Sequence, residues 1–159
     1  MLEIFIKTFF LYFIVIDPLG NTPIFLSLTQ NMEANQKIKI ALSATIIAAI
    51  ILLFFALLGS SLLTYLNISY PAFTIGGGII LLLIAIEMLF DKRNQRKEGD
   101  IDINSENVSV FPLATPIIAG PAAITSVIVS VSDIGINFTK QTSGILALVT
   151  VLFLTFVIF

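Results

Sequence analysis

The stretch VIDPLGNTPIFL, residues 15–26, sets an aspartate, an asparagine, a threonine, a glycine and two prolines inside an apolar run. Asp17 has the chemistry to hold an ammonium group, a proton or Na⁺. It lies about thirteen residues into that run, roughly 20 Å deep at ~1.5 Å per residue. An ionised aspartate in hydrocarbon costs at least ~2.5–3.5 kcal/mol, and such residues usually face a cavity or a partner. Pro18 and Pro23 remove two backbone donors, and Gly20 between them adds backbone freedom. Carbonyls freed in lipid must find other partners, so the pattern predicts an interrupted helix whose unwound backbone faces protein or water. Two readings of Asp17 stand together. It binds or couples a cation, or it simply caps the half-helix that follows, Asp-Pro being a good N-cap and first-turn pair. Thr22-Pro23 offers the same cap one turn later.

A second interruption, ATPIIAGPAAIT at residues 114–125, contains Thr115-Pro116 and Gly120-Pro121 and adds no charge. Prolines alone often only kink such helices. What distinguishes this one is its place. Moving the second half of the chain back by 103 positions lays Gly120-Pro121 on Asp17-Pro18, Thr125 on Thr22 and Ser130 on Ser27.

The elements that must position these residues are membrane helices. The chain is 57% hydrophobic and 11% charged, with mean hydropathy +1.05, far from the roughly 25% charge of soluble domains. Apolar runs at 4–29, 38–58, 71–90 and 110–132 approach or exceed the ~20 residues that cross a bilayer, and a fifth occupies 144–159. The N-terminus lacks the basic start and cleavage site of a signal peptide, so the first run is expected to stay as a helix. Lys37 and Lys39 follow the first run; Lys92, Arg93, Arg96 and Lys97 follow the third. The second connection has no basic residue and the fourth only Lys140, which predicts cytoplasmic first and third loops and an outside N-terminus.

The expected fold class is an all-α polytopic membrane protein: an inverted 3+3 helix repeat with discontinuous helices 1 and 4, here truncated to five spans. Residues 1–90 form the first repeat, 91–110 a solvated cytoplasmic connector, and 111–159 the second repeat without its last span. An odd number of spans between equivalent helices gives the halves opposite orientations. The half-helices after Pro18 and Pro121 then both begin near the midplane, each with free N–H groups and about half a positive charge. Asp17 offsets that charge at one end, and a pocket seeking an anion at one end and a cation at the other suits a small zwitterion.

Cysteine and histidine are absent, which excludes disulfides, thiolate nucleophiles and His- or Cys-based metal sites. An aspartyl hydrolase needs a second carboxylate beside Asp17, and Glu87 reads as interfacial, so catalysis is not expected. Neither a phosphate-cradling loop nor a basic-aromatic nucleic-acid patch is found. Gly76, Gly77 and Gly78 read as a packing face. Asn67, Asn107 and Asn137 each begin an N-x-S/T triplet, a pattern frequent by chance.

Three stretches, DPLGNTPIFLSLT (17–29), FTIGGGIILLLIAIEML (73–89) and PLATPIIAGPAAITSVIV (112–129), resemble the signature regions of the MarC family. That resemblance spans almost the whole chain. It implies a bacterial inner-membrane protein with both termini of the complete form outside, akin in architecture to the lysine exporter superfamily. The family includes SnatA, an archaeal transporter of small neutral amino acids, so the resemblance implies a secondary transporter of small solutes. Where the family usually reads Gly-Pro-Gly, this chain has Gly120-Pro121-Ala122.

The reading that follows places the solute between helices 1 and 4. Asp17 takes the ammonium or the coupling cation, H⁺ or Na⁺; Gly20, Asn21 and Thr22 supply polar groups; Gly120 and Thr125 line the opposing half-helix. Partners are the lipid bilayer and a small zwitterion, with no nucleic acid and no organic cofactor. The rival reading is a non-transporting assembly or regulatory subunit whose breaks only shape the bundle.

Overall fold

The computed structural model describes residues 2–89, 108–134 and 138–159, without the side chains at 84, 87–89, 132–134 and 138–140. The chain forms α1 (Leu2–Ile16), α2 (Pro18–Leu28), α3 (Ala34–Tyr65) and α4 (Tyr70–Leu89), then a widened helical segment Ser109–Ile118, α5 (Pro121–Ile134) and α6 (Phe138–Ile158). No strand occurs among the described residues. Most of the 91–110 connector, Asn107 and Asn137 lie outside them, as do the side chains of Glu87 and Lys140.

The apolar runs convert to helices unevenly. The helix α3 and residues Gln141–Ile158 are each long and apolar enough to cross a membrane. Ser109–Ile118 with Pro121–Val131, bent by 53°, makes a third such unit, and Tyr70–Leu83 is a shorter apolar helix. The first run instead divides at Asp17 into helices of 15 and 11 residues, about 22 and 16 Å long. Neither alone spans ~30 Å of hydrocarbon. Its Lys7 forms a 2.8 Å ion pair with Glu3 one turn earlier, an exposed pair of little energetic consequence.

The inward face of α3 is a seam of small residues. Ala41, Ala44, Ala48, Leu52, Ala56 and Gly59 recur at three- and four-residue spacing and are buried, while Leu42, Ile46, Ile50, Phe54 and Leu57 on the other face are exposed. Without a hydrophobic drive between helices in lipid, such small residues let backbones approach closely. Here α3 packs against Ser109–Ile118, α5 and α6, and Gly59 lies directly on Ile128. The buried α1 residues Thr8, Tyr12 and Ile16 mark a single face. That helix packs on α5 and α6, and the Phe25 ring of α2 stacks on Phe159 with centroids 4.8 Å apart.

A tight turn ends α3. Asn67 takes a left-handed conformation, φ 54°, Ile68 N–H donates to the Leu63 carbonyl at 2.9 Å and Asn67 N–H to that of Thr64 at 3.1 Å. This is the Schellman pattern, which accounts for Asn67 without any modification. Replacing Asn67 by valine, which tolerates positive φ poorly, should lower stability by about 1–2 kcal/mol; glycine there should match or exceed the native residue in a detergent melt.

Candidate functional site

The first interruption is one residue long. Asp17 N–H completes α1 by donating to the Phe13 carbonyl at 3.0 Å, and the backbone then turns left-handed, φ 50° and ψ 62°. Pro18, with no N–H to continue the ladder, opens α2. The cap is Asp17: its Oδ1 accepts the Gly20 N–H at 3.0 Å. Thr22 does not cap a later start; its hydroxyl donates back to the Pro18 carbonyl at 2.8 Å. The side chain of Asn21 is fully buried and donates from Nδ2 to the Ile16 carbonyl at 2.7 Å. Gly20 N–H would ordinarily reach that carbonyl, but it is held by Asp17, so Asn21 fills the gap. Gly20 lies so close to the Asp17 carboxylate that a Cβ would collide with it. Asp17, Gly20, Asn21 and Thr22 therefore form one local cluster. The capping reading of Asp17 is realised, with the carboxylate half-buried.

The second interruption is built from backbone alone. Phe111 and Thr115 are extended, φ −133° and −136°, as residues preceding proline prefer. Carbonyl bonding skips to five residues back, with Leu113 N–H to Val108 O at 3.3 Å and Ala119 N–H to Ala114 O at 2.8 Å. Gly120 passes beside the Pro116 carbonyl oxygen, 2.5 Å from where a Cβ would stand, and α5 begins at the next residue, Pro121. Ala122 sits buried in the first turn of α5.

Thr125 is buried, and its methyl group packs on Gly77 of α4. Tyr70, near the start of α4, reaches the Val129 carbonyl at 3.2 Å, so α4 and α5 run antiparallel with Gly77 at the close approach. Gly76 and Gly78 meet nothing within 4 Å, which narrows the expected glycine packing face to one residue. The predicted site residues thus fall into two groups. Asp17, Gly20, Asn21 and Thr22 lie at the first break, and Gly120 and Thr125 at the second. Ile16, Ala119 and Ala123, beside these breaks, share one contiguous apolar core, and α2 touches the Ser109–Ile118 segment.

Three buried hydroxyls were not singled out from sequence. Tyr12, Thr45 and Ser126 have buried oxygens with no hydrogen-bond partner among the described residues. Ser126 and Ser130, one turn apart just after the Gly-Pro break, were the only available signal, and serine in an apolar helix is common.

A chain of apolar helices with prolines and buried polar caps within it defines an integral membrane protein. It belongs to the MarC family of integral membrane proteins, whose family model matches residues 2–159. Similar proteins include UPF0056 membrane proteins of Methanocaldococcus jannaschii, 38% identical over 86% of this chain and 70% of the relative, and of Archaeoglobus fulgidus, 39% identical over 84% and 64%. A third, from Buchnera aphidicola, is 37% identical over 73% of this chain and 58% of its own length. This chain therefore covers roughly three fifths to seven tenths of its relatives, which are both bacterial and archaeal. No solved structure matches it.

Proposed function

We propose that this chain is part of a secondary transporter for small zwitterionic solutes such as neutral amino acids, working in a bacterial inner membrane without an organic cofactor and without enzymatic activity. The observation that carries the proposal is the pair of helix starts at Pro18 and Pro121, 103 residues apart, each directly after a sharp backbone turn inside apolar sequence. This offset is the one at which the two halves align, as an inverted repeat with discontinuous helices requires. The start at Pro121 offers N–H groups and the positive end of a helix dipole to an anionic group, whereas that at Pro18 is already capped by the Asp17 carboxylate. Asp17, half-buried at the first start, takes the ammonium or the coupling H⁺ or Na⁺; Gly20, Asn21 and Thr22 shape that end, and Gly120 and Thr125 the other. Alternating access is then rocking of one repeat against the other.

The decisive experiment is uptake of labelled glycine and alanine into proteoliposomes, with Asp17→Asn beside the native chain. Asparagine remains a good N-cap, so the fold should survive while coupled uptake falls at least tenfold, about the worth of one charge-assisted hydrogen bond. Uptake unchanged in Asp17→Asn would remove Asp17 from the mechanism.

One observation favours the rival reading of an assembly or regulatory subunit. Asp17, Asn21 and Thr22 each bond backbone at the break, a role that shapes the bundle. A panel of amino acids that leaves the melting temperature unmoved would support the rival, since any ligand that binds the folded form raises it.

A further inference from the structure

Hydroxyl side chains in apolar helices have a ready partner, the carbonyl one turn back. Thr8, Thr22, Thr29, Ser130 and Thr155 all take it, at 2.6–2.9 Å. Ser126 does not, although it is only 3% exposed; its hydroxyl reaches no partner among the described residues. The hydroxyl of Tyr12, 1% exposed, is in the same condition. Its polar neighbour is the Ser130 hydroxyl, whose oxygen can accept from Tyr12 but whose own proton is committed to the Ser126 carbonyl. Ser126 lies one turn before Ser130 and so on the same side of α5, which brings the two orphaned hydroxyls to one part of the α1–α5 interface. Thr45, the third, belongs elsewhere. Gly59 on Ile128 sets the register of α3 against α5, and Thr45 is fourteen residues, roughly 21 Å, further along α3.

We propose that Tyr12 and Ser126 form a donor pair that holds the carboxylate of the solute. The proposal rests on the transport reading and assigns residues to it. Two O–H groups that make no well-formed hydrogen bond among the described residues, buried where an unmade bond is costly, suit a ligand group that only accepts, and a carboxylate is such a group. Both hydroxyls lie close to the chain breaks: Tyr12 is five residues before Asp17, and Ser126 five residues after Pro121, the positive end of α5. Five residues of helix are about 7.5 Å, longer than the separation between the charges of an α-amino acid. A solute whose carboxylate is at Tyr12 leaves Asp17 to the coupling cation.

The test uses thermal melts of the purified chain in detergent, titrated with glycine and with glycinamide, which keeps the amine and lacks the carboxylate. The native chain, Tyr12→Phe, Ser126→Ala and Thr45→Val are compared. Without ligand, Tyr12→Phe and Ser126→Ala should melt at or above the native temperature, because neither hydroxyl makes a well-formed hydrogen bond among the described residues; a clear fall would make these hydroxyls structural and overturn the proposal. Glycine should stabilise the native chain and Thr45→Val alike, with apparent affinity about tenfold weaker in Tyr12→Phe and in Ser126→Ala, and glycinamide should protect none. Equal glycine affinity in all four proteins, or protection by glycinamide equal to that by glycine, overturns this assignment and leaves the transport reading in place. A native chain unprotected by glycine, alanine and serine overturns both.

Discussion

Asn21→Leu is expected to lower the stability of the protein by about 3 kcal/mol, chiefly by leaving the Ile16 carbonyl without its donor. Leucine nearly matches asparagine in volume, so little of the effect comes from packing. What changes is the Ile16 carbonyl, which the Asn21 amide satisfies at 2.7 Å in a place where both side chains are essentially sealed from solvent. A buried carbonyl left without a donor costs about 1–3 kcal/mol in water-soluble proteins, and the penalty is larger where lipid replaces water. The neighbouring Thr22→Val is the control. It removes a hydroxyl bond to the Pro18 carbonyl at a half-exposed residue, and should cost under about 1 kcal/mol. A chemical melt in detergent that places Asn21→Leu beside Thr22→Val would show that the break closes without the amide.

Gly120→Ala is expected to be nearly as severe, about 2–3 kcal/mol, through crowding. The added Cβ would stand 2.5 Å from the Pro116 carbonyl oxygen. That oxygen is backbone, held between a proline-bearing turn and the start of α5, and cannot swing aside as a side chain would. Gly78→Ala supplies the contrast. Nothing lies within 4 Å of that position, and alanine inside a helix is favoured over glycine by roughly 0.5–1 kcal/mol. The pair should therefore move the melting temperature in opposite directions. If both alanines were tolerated equally, the sharp turn at Gly120 would have another route.

Much of the architecture was legible in the residues because its causes are local. A proline cannot donate, so the starts of α2 and α5 at Pro18 and Pro121 could be read directly. Asp17 as their first cap was one of two options, and the structure selects it over Thr22 because Gly20 N–H is within 3.0 Å of Asp17. The division of the first apolar run into two short helices was visible as a break but not as a left-handed residue, since aspartate adopts that conformation only where surrounding contacts hold it. Of the three glycines in α4, sequence could name a packing face, but which glycine meets a neighbour depends on the rotation of α4 about its axis, set by Tyr70 and Val129 on α5.

By itself the sequence determined the solvent this protein lives in, the points where its helices are interrupted and the family it belongs to. Each follows from composition or from a residue whose backbone chemistry acts on its immediate neighbours. Only the tertiary structure decided that Thr125 turns its methyl to Gly77, that Asn21 serves the Ile16 carbonyl, and that the Tyr12 and Ser126 hydroxyls are buried without a well-formed hydrogen bond among the described residues. A hydroxyl in a helix has a local carbonyl to fall back on, and an amide can bond in several directions. Which of them a side chain takes is settled by the helices packed around it.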